Sequence, residues 1–188
     1  MILTPPGPVA AGLRIGLLGG SFNPAHTGHR YVAETAIRRL KLDYVWFLVS
    51  PQNPLKPVTG MASLAMRMAS VRRLAGGNRR FIVSDLEQAI ASRTTIDTVR
   101  ILKARFPQVH FIWLMGSDNL EQFHHWHRWR DILAALPVAV VQRPGSTLAP
   151  LKAKAIRTRP DRFTIIDGRR NQMSATAIRA ELARRQRQ

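Results

Sequence analysis

His26 and His29 stand three residues apart at the end of the run Gly19-Gly20-Ser21-Phe22-Asn23-Pro24-Ala25-His26-Thr27-Gly28-His29. An imidazole donates a hydrogen bond from a short side chain, so two of them at the mouth of a helix can meet a phosphate whose charge grows during a reaction. Gly19 and Gly20 let the backbone turn tightly and approach a ligand. The helix start that follows offers N–H groups and the positive end of a dipole. Strand, glycine-rich loop and helix together describe an anion site. No Gly-Lys-Ser/Thr follows, so the loop is not a Walker A loop, and the dinucleotide GxGxxG spacing is missing too. A metal site is the competing chemistry, but no third ligand stands nearby at the spacing of zinc-enzyme motifs. His124, His125 and His127 around Trp126 read as exposed side chains.

The elements that must hold this loop follow from periodicity. Short β-rich apolar runs over Arg14 to Leu18, Tyr44 to Val49, Arg80 to Ser84, Val109 to Met115, Val138 to Val141 and Phe163 to Ile166 alternate with stretches of helical period. That alternation predicts βαβ units and an α/β fold: a Rossmann-like, doubly wound parallel sheet with helices on both faces. Val32, Ala33, Ala36, Ile37 and Leu40 recur at helical spacing opposite Arg38, Arg39 and Lys41, which predicts an amphipathic helix from near Gly28. Further helices are expected over Ala62 to Ala75, Ile96 to Arg105, Trp129 to Leu136 and Ala175 to Arg185. Pro51 to Thr59, with three prolines, reads as a loop at the carboxyl end of the second strand, the edge where such sheets bind ligands.

Composition narrows the class. With 188 residues, 45% hydrophobic and 21% charged, the chain fits one globular unit and excludes a fibrous or disordered protein. Residues 1–13 read as a loose lead and 14–188 as a single domain. Lys and Arg number 29 against 11 Asp and Glu, a formal charge of +18 that points to polyanionic or phosphate-bearing partners. Only five of the 29 are Lys and they are scattered, which argues against a nucleic-acid tail; residues 152–188 are the most basic part, at +8. Cysteine is absent, which excludes disulfides and thiolate metal sites. No apolar run approaches the ~18 residues of a membrane span, so a cytoplasmic protein away from membranes is expected.

The run Gly19 to His29 resembles the GxFxPxHxGH signature of the HxGH nucleotidyltransferase superfamily. Three further stretches agree in order: Met115-Gly116-Ser117-Asp118-Asn119-Leu120, Gln142-Arg143-Pro144-Gly145, and Met173-Ser174-Ala175-Thr176-Ala177-Ile178-Arg179. With Arg93-Thr94-Thr95-Ile96-Asp97-Thr98 they make the chain similar to the bacterial nicotinate-nucleotide adenylyltransferase family, over about Arg14 to Arg185. It departs from that pattern at Leu55, where a histidine often precedes the lysine, at Ala175, and at Thr94, where an aromatic residue is common.

The resemblance implies that ATP and nicotinate mononucleotide give nicotinate adenine dinucleotide and pyrophosphate, with Mg²⁺ carried on the ATP phosphates. It assigns His26, His29 and Arg179 to catalysis. Gly19, Gly20, Ser21, Phe22, Lys56, Gly116, Asp118, Ser174 and Thr176 are assigned to ATP, and Asn23, Thr95 and Trp126 to the nicotinate substrate. A related transferase acting on phosphopantetheine, or a basic nucleic-acid-binding module, are the alternatives. Neither oligomeric state nor the strictness of the acid-over-amide preference follows from the sequence.

Overall fold

The computed structural model describes residues 4–51, 60–142 and 153–166. Six strands form one all-parallel sheet: β1 (Arg14–Gly20), β2 (Tyr44–Val49), β3 (Phe81–Ser84), β4 (His110–Gly116), β5 (Val138–Val141) and β6 (Phe163–Ile166). Their order is β3-β2-β1-β4-β5-β6, so the direction of winding reverses between β1 and β4. All five neighbouring pairs run parallel, with Gly16 opposite Val45 on one side and Ile112 on the other.

Strand periodicity divides the core in two. Ile15, Leu17, Trp46, Leu48, Trp113, Val138 and Val140 point to one face. There they meet α3 (Leu86–Ala89), α4 (Thr95–Arg105), α5 (Ser117–Phe123), α6 (Trp129–Ala135) and α7 (Lys154–Thr158). Leu18, Val45, Phe47, Val49, Leu114 and Ala139 point to the other face, against α1 (Thr27–Leu40) and α2 (Leu64–Ala75). Both faces are covered, which is why the strands read as near-continuous apolar runs rather than alternating ones. Val9 and Leu13 pack against the first cluster, and Gly12 N–H donates to Gln108 O at 3.0 Å.

The expected strands and the helices corresponding to α1, α2, α4 and α6 are present within a residue or two of the expected limits. α3, α5 and α7 are short and carry no full period of apolar residues. The helix expected over Ala175 to Arg185 and residues 52–59 of the proline-rich loop lie outside the described residues. Among the described residues no helix is long and apolar enough to cross a membrane.

Candidate active site

β1 continues two residues further than its apolar run implies, so Gly19 and Gly20 are strand residues paired with Leu48 and Val49 of β2. The tight turn expected of the two glycines falls instead at Phe22, whose φ of 48° is left-handed. Its ring is buried and holds that conformation in place, packing on Phe47 and, at 4.8 Å between centroids, on His29. Gly19 has a different need for its missing side chain: a Cβ there would lie 2.6 Å from Cη2 of Trp113. The glycine admits the indole of the neighbouring strand to the floor of the site.

α1 begins immediately after this turn. His26 is its N-cap, extended at φ −143°, and His29 is the third helical residue. The His26 backbone N–H donates to His29 Nδ1 at 3.2 Å, and the two rings lie 3.8 Å apart. Because Nδ1 accepts, the neutral ring carries its proton on Nε2. The arrangement thus puts an imidazole N–H donor at a helix N-terminus with no acidic residue in its first turn.

Asn23 straps the loop to the approach to α2. Its Nδ2 donates to Gly60 O at 3.1 Å and its Oδ1 accepts from Ala62 N–H at 3.2 Å. Ser21 is buried, and its carbonyl accepts from Arg67 Nη1 at 2.8 Å. Sequence reasoning missed Arg67. It is 3% exposed, and its guanidinium also reaches the carbonyls of Ser50 (2.6 Å), Pro51 (2.9 Å) and Ala62 (2.9 Å). Burial pulls its pKa below the usual arginine value, yet a guanidinium remains charged at any physiological pH. One buried cation therefore ties the ends of β1 and β2 and the start of α2 together. The signal was available: Met68, Val71 and Ala75 form the buried stripe of α2, with Leu64 partly buried beside it, and Arg67 falls on that stripe.

Beside the loop is a cleft of about 270 Å³ lined by Gly19, Gly20, Ser50, Glu87, Arg93, Thr94, Thr95, Trp113, His125, Trp126 and His127. The structure thus brings Thr95 and Trp126 together with the two glycines. Trp126 is half-buried, its ring held edge-on by Trp113 at 6.0 Å and Phe123 at 5.2 Å. Thr95 opens α4, whose N-terminus therefore faces the cleft. His125 and His127 are exposed, as expected, but they also line the cleft. Glu87 was not foreseen; it is 8% exposed, and burial raises its pKa while hydrogen bonds to Ser50 and Thr98 oppose the rise.

Gly116 ends β4 and caps α5, placing Asp118 in that helix's first turn, exposed, at the same carboxyl edge of the sheet. Lys56, Ser174, Thr176 and Arg179 lie outside the described residues, as do Arg143, Pro144 and Gly145. Among the described residues no group of three or more His, Asp or Glu is placed to hold a metal ion.

The fold and the histidine loop define a class. Residues 17–181 match the cytidylyltransferase-like family, so the chain is a nucleotidyltransferase of that fold. A relative from Gluconobacter oxydans, a probable nicotinate-nucleotide adenylyltransferase, is 47% identical over 184 residues, covering 89% of this chain and 94% of its own length. One of the same name from Caulobacter is 54% identical over 145 residues, covering 77% of this chain and 76% of its own. The chain belongs to the nicotinate-nucleotide adenylyltransferase family. Solved structures share the fold at lower identity. The Plasmodium falciparum nicotinic acid mononucleotide adenylyltransferase complexed with NaAD superimposes with a TM-score of 0.69 at 16% identity, over 84% of this chain and 76% of that one. Its complex with APC gives 0.68 at 15% identity, over 84% of this chain and 75% of that one. Nucleotidyltransferases of this kind use a divalent metal ion together with the nucleotide.

Proposed function

We propose that the protein transfers the adenylyl group of ATP to nicotinate mononucleotide, forming nicotinate adenine dinucleotide and pyrophosphate in NAD biosynthesis. The observation that carries this reading is the His29 Nδ1 bond to His26 N–H, which presents an imidazole donor at the start of α1 beside a cleft walled by Trp126 and Thr95.

The chemistry needs no nucleophile from the protein. A phosphate monoester with a second pKa near ~6 is mostly dianionic at neutral pH, so the mononucleotide oxygen attacks the α-phosphorus directly. What remains is to align the two substrates and to neutralise the departing pyrophosphate. His26 and His29 meet the ATP phosphates, with the backbone of Gly19, Gly20, Ser21 and Phe22 along the triphosphate. Asp118, an acceptor beside Gly116, suits the adenosine ribose hydroxyls. Thr95 and the N-terminus of α4 suit the nicotinate carboxylate, and Trp126 suits its ring. Asn23 acts by fixing the loop. Ser174, Thr176, Arg179 and Lys56 are assigned to phosphate by motif. Mg²⁺ would come with ATP as part of the substrate, held mainly by its phosphates rather than by protein carboxylates, and would help neutralise the departing pyrophosphate.

We place the protein in the cytoplasm, as a single domain over 14–188, with no nucleic-acid or membrane partner. The test is pyrophosphate release with Mg²⁺ and ATP, offering nicotinate mononucleotide, nicotinamide mononucleotide or phosphopantetheine, with His29→Ala as control. Release with the first substrate, lost in the variant, is expected. Turnover of phosphopantetheine alone would move the protein to another substrate.

A further inference from the structure

Arg93 lies on the wall of the cleft with its neighbours on both sides held in place. Ala91 reverses the chain at φ 50°, and Ser92 is buried. The Ser92 hydroxyl pairs with Thr98 Oγ1 at 2.8 Å and donates to Thr94 O at 3.0 Å, while its backbone N–H donates to Glu87 O at 2.9 Å. On the other side Thr94 Oγ1 donates to Asp97 Oδ2 at 2.6 Å. The backbone that carries Arg93 is therefore anchored, while Arg93 itself lines the cleft and is exposed.

The charge of Arg93 is not spent inside the protein. Arg30, Arg100, Arg128 and Arg159 each pair with a carboxylate, whereas none among the described residues pairs with Arg93. The acid nearest in sequence, Asp97, takes the Thr94 hydroxyl. Among the described residues the carboxyl on the cleft wall is that of Glu87, which is buried, accepts from the Thr98 hydroxyl at 3.4 Å and forms no ion pair with Arg93. A cation is thus presented to whatever occupies the cleft, on the same segment as Thr95 and on a wall that also contains Trp126.

We propose that Arg93 is a specificity-determining residue that selects a pyridine ring bearing a carboxylate over one bearing a carboxamide. This rests on the proposed function and goes further by naming the side chain that sets the preference. A carboxylate in the plane of a ring lying against Trp126 offers two acceptors, and the planar guanidinium offers two donors in the matching fork. A carboxamide offers one acceptor and turns an N–H₂ donor toward a group that can only donate. The charge of Arg93 also attracts the acid and gives nothing comparable to the neutral amide.

The test is the ratio of kcat/KM for nicotinate mononucleotide to that for nicotinamide mononucleotide, in the wild type, Arg93→Gln and Arg93→Lys. In Arg93→Gln the value for the acid falls about tenfold or more, chiefly through KM, as expected for loss of a charge-assisted pair at a partly solvated site. The value for the amide stays within about twofold, so the ratio collapses, and it also reports that the variant is folded. Arg93→Lys, keeping the charge without the fork, recovers part of the ratio. Equal losses with both substrates would place Arg93 on a group they share, the phosphate or ribose, and overturn the proposal. An unchanged ratio would overturn it too. A wild type that turns over neither mononucleotide would instead overturn the proposed function.

Discussion

The backbone N–H of His26 donates to Nδ1 of His29 at 3.2 Å, so the helix N-cap fixes the tautomer of the residue one turn along. In the proposed function this links catalysis to local folding: the bond that helps start α1 also commits the other ring nitrogen to be a donor. Replacing His29 by Ala removes that donor. Loss of about 10²- to 10³-fold in kcat is expected, the usual cost of deleting one preorganised donor to developing negative charge. The KM for ATP should change much less. Steady-state pyrophosphate release measures both, and an unchanged kcat would remove His29 from the transition state.

Arg67 makes a separate prediction about stability. Arg67→Leu leaves the carbonyls of Ser21, Ser50, Pro51 and Ala62 without their guanidinium donor. A loss of about 3 kcal/mol in urea-unfolding free energy is expected. Activity should fall as well, because those carbonyls shape the ends of β1 and β2. Arg67→Lys should recover little, since an ammonium cannot reach four divergent acceptors as a planar fork does.

Gly19 and Trp113 are predicted to be coupled. Gly19→Ala sets a methyl 2.6 Å from the indole, which must shift. Overpacking of this kind costs about 1 to 3 kcal/mol, and the displaced ring encroaches on the cleft it lines. Trp113→Phe in the same chain should restore part of the stability lost to Gly19→Ala. A double-mutant cycle with no coupling between the two positions would contradict the contact.

Glu87 gives a pH dependence with a definite sign. Burial raises its pKa in the folded protein above the ordinary carboxylate value of 4.5. Below that ordinary value the carboxyl is protonated both folded and unfolded, and its ionisation costs nothing. As pH rises through the raised folded value the unfolded state releases the proton more readily, so stability falls. Glu87→Gln does not ionise, so its stability relative to the wild type should increase from below pH 4.5 towards neutrality. Chemical denaturation at both ends of that range checks the slope; a difference that shrinks with rising pH would contradict it.

The sheet was legible because its strands are buried on both faces and read as apolar runs, and α1 was legible because five apolar residues recur against a basic face. The histidine loop stood out by residue type alone. Gly19 was legible as important but for an incomplete reason: its closest constraint is an indole from β4, a contact between residues 94 positions apart that no local pattern shows. Arg67 was overlooked because arginine in an amphipathic helix ordinarily marks the solvent side; only its position on the apolar stripe of α2 betrays it. Glu87 sits in α3, four residues long, too short for any period to display. His125 and His127 reach the cleft through irregular backbone between α5 and α6, where spacing carries no directional information.

The central claim is direct attack of the mononucleotide phosphate on the α-phosphorus, with His26 and His29 stabilising charge and no protein nucleophile. The measurement that tests it most directly uses ATP made chiral by sulfur at the α-phosphorus, with nicotinate mononucleotide as acceptor. A single in-line displacement predicts a dinucleotide with inverted configuration at that phosphorus, formed in step with pyrophosphate. Retention of configuration would require a covalent adenylyl-protein intermediate and would contradict the account, as would pyrophosphate release without dinucleotide.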